Sequence, residues 1–150
     1  MRRREFITGI AILIAAQGVA RAQARRTMRK IGCLHAVSTH INPPLSLSSL
    51  RRVWRGLGYV EGETVLVRGA EGDPSRLPKL AAELIGLEVG VLIAIGPAAL
   101  RAANEATNTT PIVAIDLETD PIRAGLAATF GRPGGNVTGL FLDQGSGSSY

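Results

Sequence analysis

From residue 31 onward, short apolar runs alternate with segments whose apolar residues recur every three or four positions. Ile31 to Leu34 reads as a first strand. Leu50, Val53, Trp54 and Leu57 then fall at i, i+3, i+4 and i+7, which predicts one buried face of a helix. Ser46, Ser48 or Ser49 is the expected cap, and Gly58 the expected stop, with a turn over 59–62. Thr64 to Arg68 reads as a second strand. A second helix, starting close to Ser75, is expected to bury Leu77, Leu80, Ala81 and Leu84, with Pro78 tolerated in its first turn.

The run from Val89 to Ile95 is apolar throughout, as expected of a central parallel strand covered on both faces. Gly96 and Pro97 follow at once. Proline suits the first position of a helix, so an alanine-rich helix is expected from Pro97 to Ala106. Ile112 to Ile115 forms a fourth strand ending at Asp116. Asp120 and Pro121 signal a short fourth helix, and Val137 to Leu142 a fifth strand after a glycine-rich loop. Strict strand–helix alternation implies right-handed crossovers. The expected fold is therefore α/β: a doubly wound, parallel five-stranded sheet of flavodoxin-like order.

The first 30 residues belong to a different pattern. Arg2, Arg3 and Arg4 precede an apolar stretch centred on residues 10–16, and Ala20-Arg21-Ala22 has the small-x-small form of a cleavage site. This is the layout of a secretory signal, and the paired arginines give it a twin-arginine character. The apolar run is about 10 residues, short of the roughly 20 that span a bilayer. The expected division is a signal peptide over 1–22, a linker over 23–29, a folded lobe over 30–143 and an atypical tail over 144–150. The expected location is the periplasm.

Charge follows the same division. The formal net charge is +5, but eight of the 17 basic residues lie within the first 30, and the remainder carries a net −2. The folded part thus lacks the basic face of a nucleic-acid binder. The single cysteine, Cys33, sits in an apolar run and reads as a small core residue.

Ligands of such sheets sit at the carboxyl ends of the strands, which directs attention to the loops after Leu34, Arg68, Ile95, Ile115 and Leu142. Gly96 allows close backbone approach, and the free N–H groups opening the Pro97 helix attract a carboxylate or phosphate. The bland alternative is an ordinary strand-to-helix turn. Asp116 has two readings: an acceptor for a ligand's amino group, or a loop acid that caps a turn. His35 and His40 are five apart with no third ligand, which argues against a metal site. A Cys33–His35 catalytic pair is disfavoured because a buried thiol lacks substrate access. With no nucleophile–base pair, metal cluster or nucleotide fingerprint, a non-enzymatic binding role without cofactor is expected; a small α/β enzyme is the minor alternative.

Several motifs together resemble one family. They are Arg2-Arg3-Arg4-Glu5-Phe6-Ile7 and Ala20-Arg21-Ala22-Gln23 in the leader, residues 56–62 (GLGYVEG), Glu71-Gly72-Asp73 with Arg76-Leu77-Pro78, and residues 80–84 (LAAEL). Further along come Pro97-Ala98-Ala99, Pro111-Ile112-Val113, Asp120-Pro121-Ile122 and residues 132–140 (RPGGNVTGL). The chain resembles the ABC transporter substrate-binding proteins with a type I periplasmic-binding fold. That resemblance implies two α/β lobes, a small solute held between them, an inner-membrane ABC permease as partner, and aromatic amino acids or similar molecules as solutes. By position it implies solute contacts from Ala36 and Ser38, from Gly96, Pro97 and Ala98, and from Asp116. The closing residues 144–150 depart from the family pattern, so the expected product is a truncated N-terminal lobe, with a non-functional gene remnant as the alternative.

Overall fold

The computed structural model describes residues 29–37, 45–126, 128 and 134–141. The proposed leader and tail, together with Ser38, His40 and Leu142, lie outside these residues.

Five strands form one sheet: β1 (Ile31–His35), β2 (Val65–Gly69), β3 (Val91–Ile95), β4 (Ile112–Asp116) and β5 (Val137–Phe141). Their order is β2-β1-β3-β4-β5, and every neighbouring pair is parallel. Among the described residues, three helices follow the first three strands: α1 (Leu45–Gly56), α2 (Leu77–Gly86) and α3 (Pro97–Ala106). The α/β doubly wound expectation is met. Among the described residues no helix is long and apolar enough to cross a membrane.

Alternation along the strands sorts the core into two layers. Leu34, Leu92, Ala94, Ile112, Ala114 and Val137 pack against α2 and α3, where Leu77, Ala81, Leu84, Ala99, Leu100 and Ala103 are buried. Ile31, Cys33, Val65 and Ile93 face α1 through Leu47 and Trp54. Small alanines on both β3–β4 and α3 let that helix sit close to the sheet. Each fully buried leucine contributes roughly 2–3 kcal/mol relative to exposure.

Three expectations are corrected. The buried face of α1 runs through Leu47, Leu50 and Trp54, while Val53 is 55% and Leu57 62% exposed. Because α1 begins at Leu45, Ser46, Ser48 and Ser49 lie within it rather than ahead of it. Leu47, fully buried at 0% exposure, rotates the contact stripe away from Val53. Gly58 does end the helix: it takes φ 83°, and Tyr59 N donates back to the Trp54 carbonyl at 2.9 Å.

The short helix expected at Asp120 is a single winding over residues 121–125. Its opening is as expected, since Asp120 Oδ1 accepts from the Ile122 and Arg123 amides at 2.9 and 3.2 Å. Gly125, at φ 70°, closes it, and Leu126 N donates to the Pro121 carbonyl at 2.9 Å. The start of α2 is also displaced. Pro74–Arg76 forms a separate 3-10 turn capped by Asp73, and α2 begins at Leu77 with Pro78 in its first turn.

The β4–β5 pair requires a glycine. Gly139 is in register with Ala114 and takes φ 155°, and a Cβ there would overlap the Ala114 backbone amide and carbonyl.

Candidate solute-binding rim

All five strands point their carboxyl ends to one rim. His35 ends β1, Ile95 ends β3 and Asp116 ends β4; His35 pairs with Ile95, and Ile95 with Ile115. Gly96 N donates to the Ile115 carbonyl at 2.9 Å, which seats Gly96 beside Asp116 on the neighbouring strand. Adjacent strands lie about 4.8 Å apart.

Gly96 takes φ 87°, a backbone region that favours glycine, and turns β3 directly into α3. Its carbonyl accepts Leu100 N at 3.0 Å, the first helical bond. No side chain caps α3. Pro97 has no N–H, so the Ala98 and Ala99 amides are the first donors, carrying the positive end of the helix dipole. Gly96, Pro97 and Ala98 are half-buried.

Asp116 is fully buried. Oδ1 accepts the Glu118 and Thr119 amides at 3.0 and 3.1 Å, folding the chain back over the rim. Oδ2 is enclosed and has no partner. The two readings of Asp116 thus divide between its oxygens: one caps a turn, and the other is an unsatisfied acceptor beside an uncapped helix N-terminus. A buried carboxylate oxygen without a partner is costly, and native structures leave few such groups without a purpose.

The structure adds a residue that the sequence pattern missed. His35, fully buried, closes β1, and neither Nδ1 nor Nε2 has a partner. Burial pushes its pKa below the ordinary 6.5; the Val37 backbone and the Glu71 carboxylate act in the opposite direction, and Arg51 adds to the lowering. Among the described residues, the buried side-chain nitrogen and oxygen atoms without partners belong to His35 and Asp116, both on this rim. The available signal was a polar residue directly after an apolar strand.

Ala36 is half-buried and its carbonyl accepts Gly72 N at 2.9 Å. The proposed contact at Ser38 falls outside the described residues. A cavity of about 330 Å³ adjoins the rim at Pro97 and Thr119 and continues between Leu100, Ala124 and Leu126, with Arg101, Asn104 and Glu105 along its outer edge. Cys33 points into the α1 layer, and burial pushes its thiol up to about 12. No cluster of three metal-ligating side chains occurs among the described residues.

The start of α3 and the unpaired Asp116 carboxylate oxygen thus come from adjacent strands and are of opposite polarity. Residues 47–145 match the family model described as ABC transporter substrate binding protein. The chain belongs to this family. A structure from Streptococcus pneumonia, described as an ABC domain in complex with L-Trp, is 31% identical, with a TM-score of 0.62 over 75% of this chain and 37% of that one. A conserved domain protein from Vibrio cholerae is 30% identical, with a TM-score of 0.63 over 77% of this chain and 39% of that one. A protein from Clostridioides difficile named tyrosine-binding protein is 31% identical over 84 residues, 55% of this chain and 24% of that protein. The chain therefore spans about a quarter of that curated relative and under two fifths of these solved ones.

Proposed function

We propose that residues 30–143 form the N-terminal lobe of an exported solute-binding protein that delivers a small zwitterion, an amino acid with an apolar or aromatic side chain, to an ABC permease. The solute's carboxylate sits at the Ala98 and Ala99 amides of α3, and its ammonium group donates to Asp116 Oδ2. Gly96 and Pro97 permit the close approach, Ala36 borders the same rim, Ser38 is a further contact proposed from its sequence position alone, and the apolar walls at Pro97, Leu100 and Leu126 accommodate the side chain. Residues 1–22 act as the export signal, and the chain binds rather than transforms its solute.

The observation that carries this reading is the unpartnered Asp116 Oδ2 beside the uncapped start of α3. A similar structure in complex with L-Trp and a relative named tyrosine-binding protein support the solute class. Calorimetric titration of the purified chain tests it. L-Trp or L-Tyr is expected to bind, whereas tryptamine, which lacks the carboxylate, and the N-acetyl amino acids, which lack the ammonium, are not. A folded sample that binds no amino acid, or binds the deletion analogues equally well, refutes the assignment.

A further inference from the structure

His35 occupies a corner of the rim that the proposed solute contacts do not use. Its carbonyl accepts Ala70 N at 2.9 Å, and the next carbonyl, of Ala36, accepts Gly72 N at 2.9 Å. These two bonds hold the turn after β2 over the end of β1, where the His35 ring nitrogens are enclosed without a hydrogen-bond partner. Between them Glu71 takes φ 54°, a region that a side chain other than glycine adopts only under strain. The turn is therefore held down against its own conformational preference.

Charge around the ring is mixed. Arg51 reaches it from α1 and opposes a positive imidazole; Glu71 reaches it from the turn and favours one. Arg51 is already engaged by Glu61 through two bonds of 2.7 and 2.8 Å. Arg76 donates to the Ala70 carbonyl at 3.3 Å, adding a second cation near the turn. Cys33, two residues back on the same strand face, stays a neutral thiol. Neither ring nitrogen has a hydrogen-bond partner, and the pull of the Val37 backbone and the Glu71 carboxylate is outweighed by burial, so a proton added to the closed state is a poorly compensated buried charge.

We propose that His35 is a proton-sensitive clamp: adding a proton to its enclosed ring releases the turn at Ala70–Gly72 from the end of β1 and opens this corner of the carboxyl rim. The direction follows from linkage. Burial favours the neutral ring in the closed state, while an exposed ring takes its proton near the ordinary 6.5. As pH falls below 6.5 the open state gains a proton that the closed state refuses, and opening becomes more frequent. At pH 5.5 the opening constant rises by up to about tenfold over its value at neutral pH.

Amide hydrogen exchange on the 150-residue chain at pH 7.5 and 5.5, corrected for intrinsic rates, tests the clamp. Protection of the Ala70 and Gly72 amides is expected to fall several-fold at pH 5.5, while the Leu92 and Ile93 amides of the central strand β3 keep theirs. His35→Leu removes the pH effect, and His40→Gln retains it. Unchanged protection at pH 5.5, an equal loss in His35→Leu, or a loss spread evenly over the sheet overturns the proposal. Should His35→Leu fail to fold, an NMR titration of the unmodified chain decides it: the His35 ring and the Gly72 amide are expected to titrate with one midpoint, and a ring that takes up its proton with no response at Gly72 overturns it.

Discussion

Replacing Asp116 by asparagine separates its two roles. Oδ1 accepts two backbone amides in the turn to Thr119, and an asparagine carbonyl oxygen can keep both. The neutral acceptor is weaker than a carboxylate, so the expected loss of folding stability is within about 1 kcal/mol. The position of Oδ2, by contrast, becomes an NH₂ group that faces the solute's ammonium donor to donor. Removing one partner of a buried charged pair costs about 2–5 kcal/mol, or roughly 30-fold to a few thousandfold in Kd. Urea denaturation and calorimetry on the same preparation read the two effects separately. Asp116→Ala is expected to lose both solute affinity and about 1–3 kcal/mol of stability, because the Glu118 and Thr119 amides lose their acceptor. Solute binding at full affinity in a folded Asp116→Asn chain refutes the assignment of Oδ2 to the ammonium.

Three further substitutions and one modification probe the fold. Leu47→Ala, on the buried stripe of α1, is expected to cost about 2–4 kcal/mol in urea denaturation, whereas Val53→Ser on the exposed flank stays within about 0.5 kcal/mol. Gly139→Ala forces a methyl group into the Ala114 backbone, and a loss on the order of 3 kcal/mol or failure to fold is expected by circular dichroism melting. Cys33 is enclosed and its thiol is pushed up to about 12, so a maleimide probe at pH 7.5 is expected to label it only in denaturant. Rapid labelling of the native chain contradicts its placement under α1.

The parts of the molecule that follow local rules were legible in the sequence. An unbroken apolar run marked β3 as central, and Gly96-Pro97 marked both the end of that strand and the start of α3. The parallel order then placed Gly96 and Asp116 on one rim. What escaped depends on contacts between distant segments. The buried stripe of α1 is set by which side of the sheet it covers, and Leu47 precedes the periodic run from Leu50 to Leu57. The winding after Asp120 began on its expected cap, but Gly125 stopped it before a helix formed. His35 follows an apolar strand and so read as the first loop residue; its burial arises only once the strand is placed in the folded sheet. The position of Asp116 was readable, while the division of labour between its oxygens was not, because the amides of Glu118 and Thr119 reach it only once the chain folds back.

An amide chemical-shift map of the chain titrated with L-Trp or L-Tyr tests the rim most directly. The account predicts saturable shifts at Gly96, Ala98, Ala99 and the Asp116–Thr119 turn, with Val60, Leu87 and Pro111's neighbour Ile112, at the opposite end of the sheet, left unmoved. Shifts centred on that opposite end, or none along the carboxyl rim at saturating solute, contradict it.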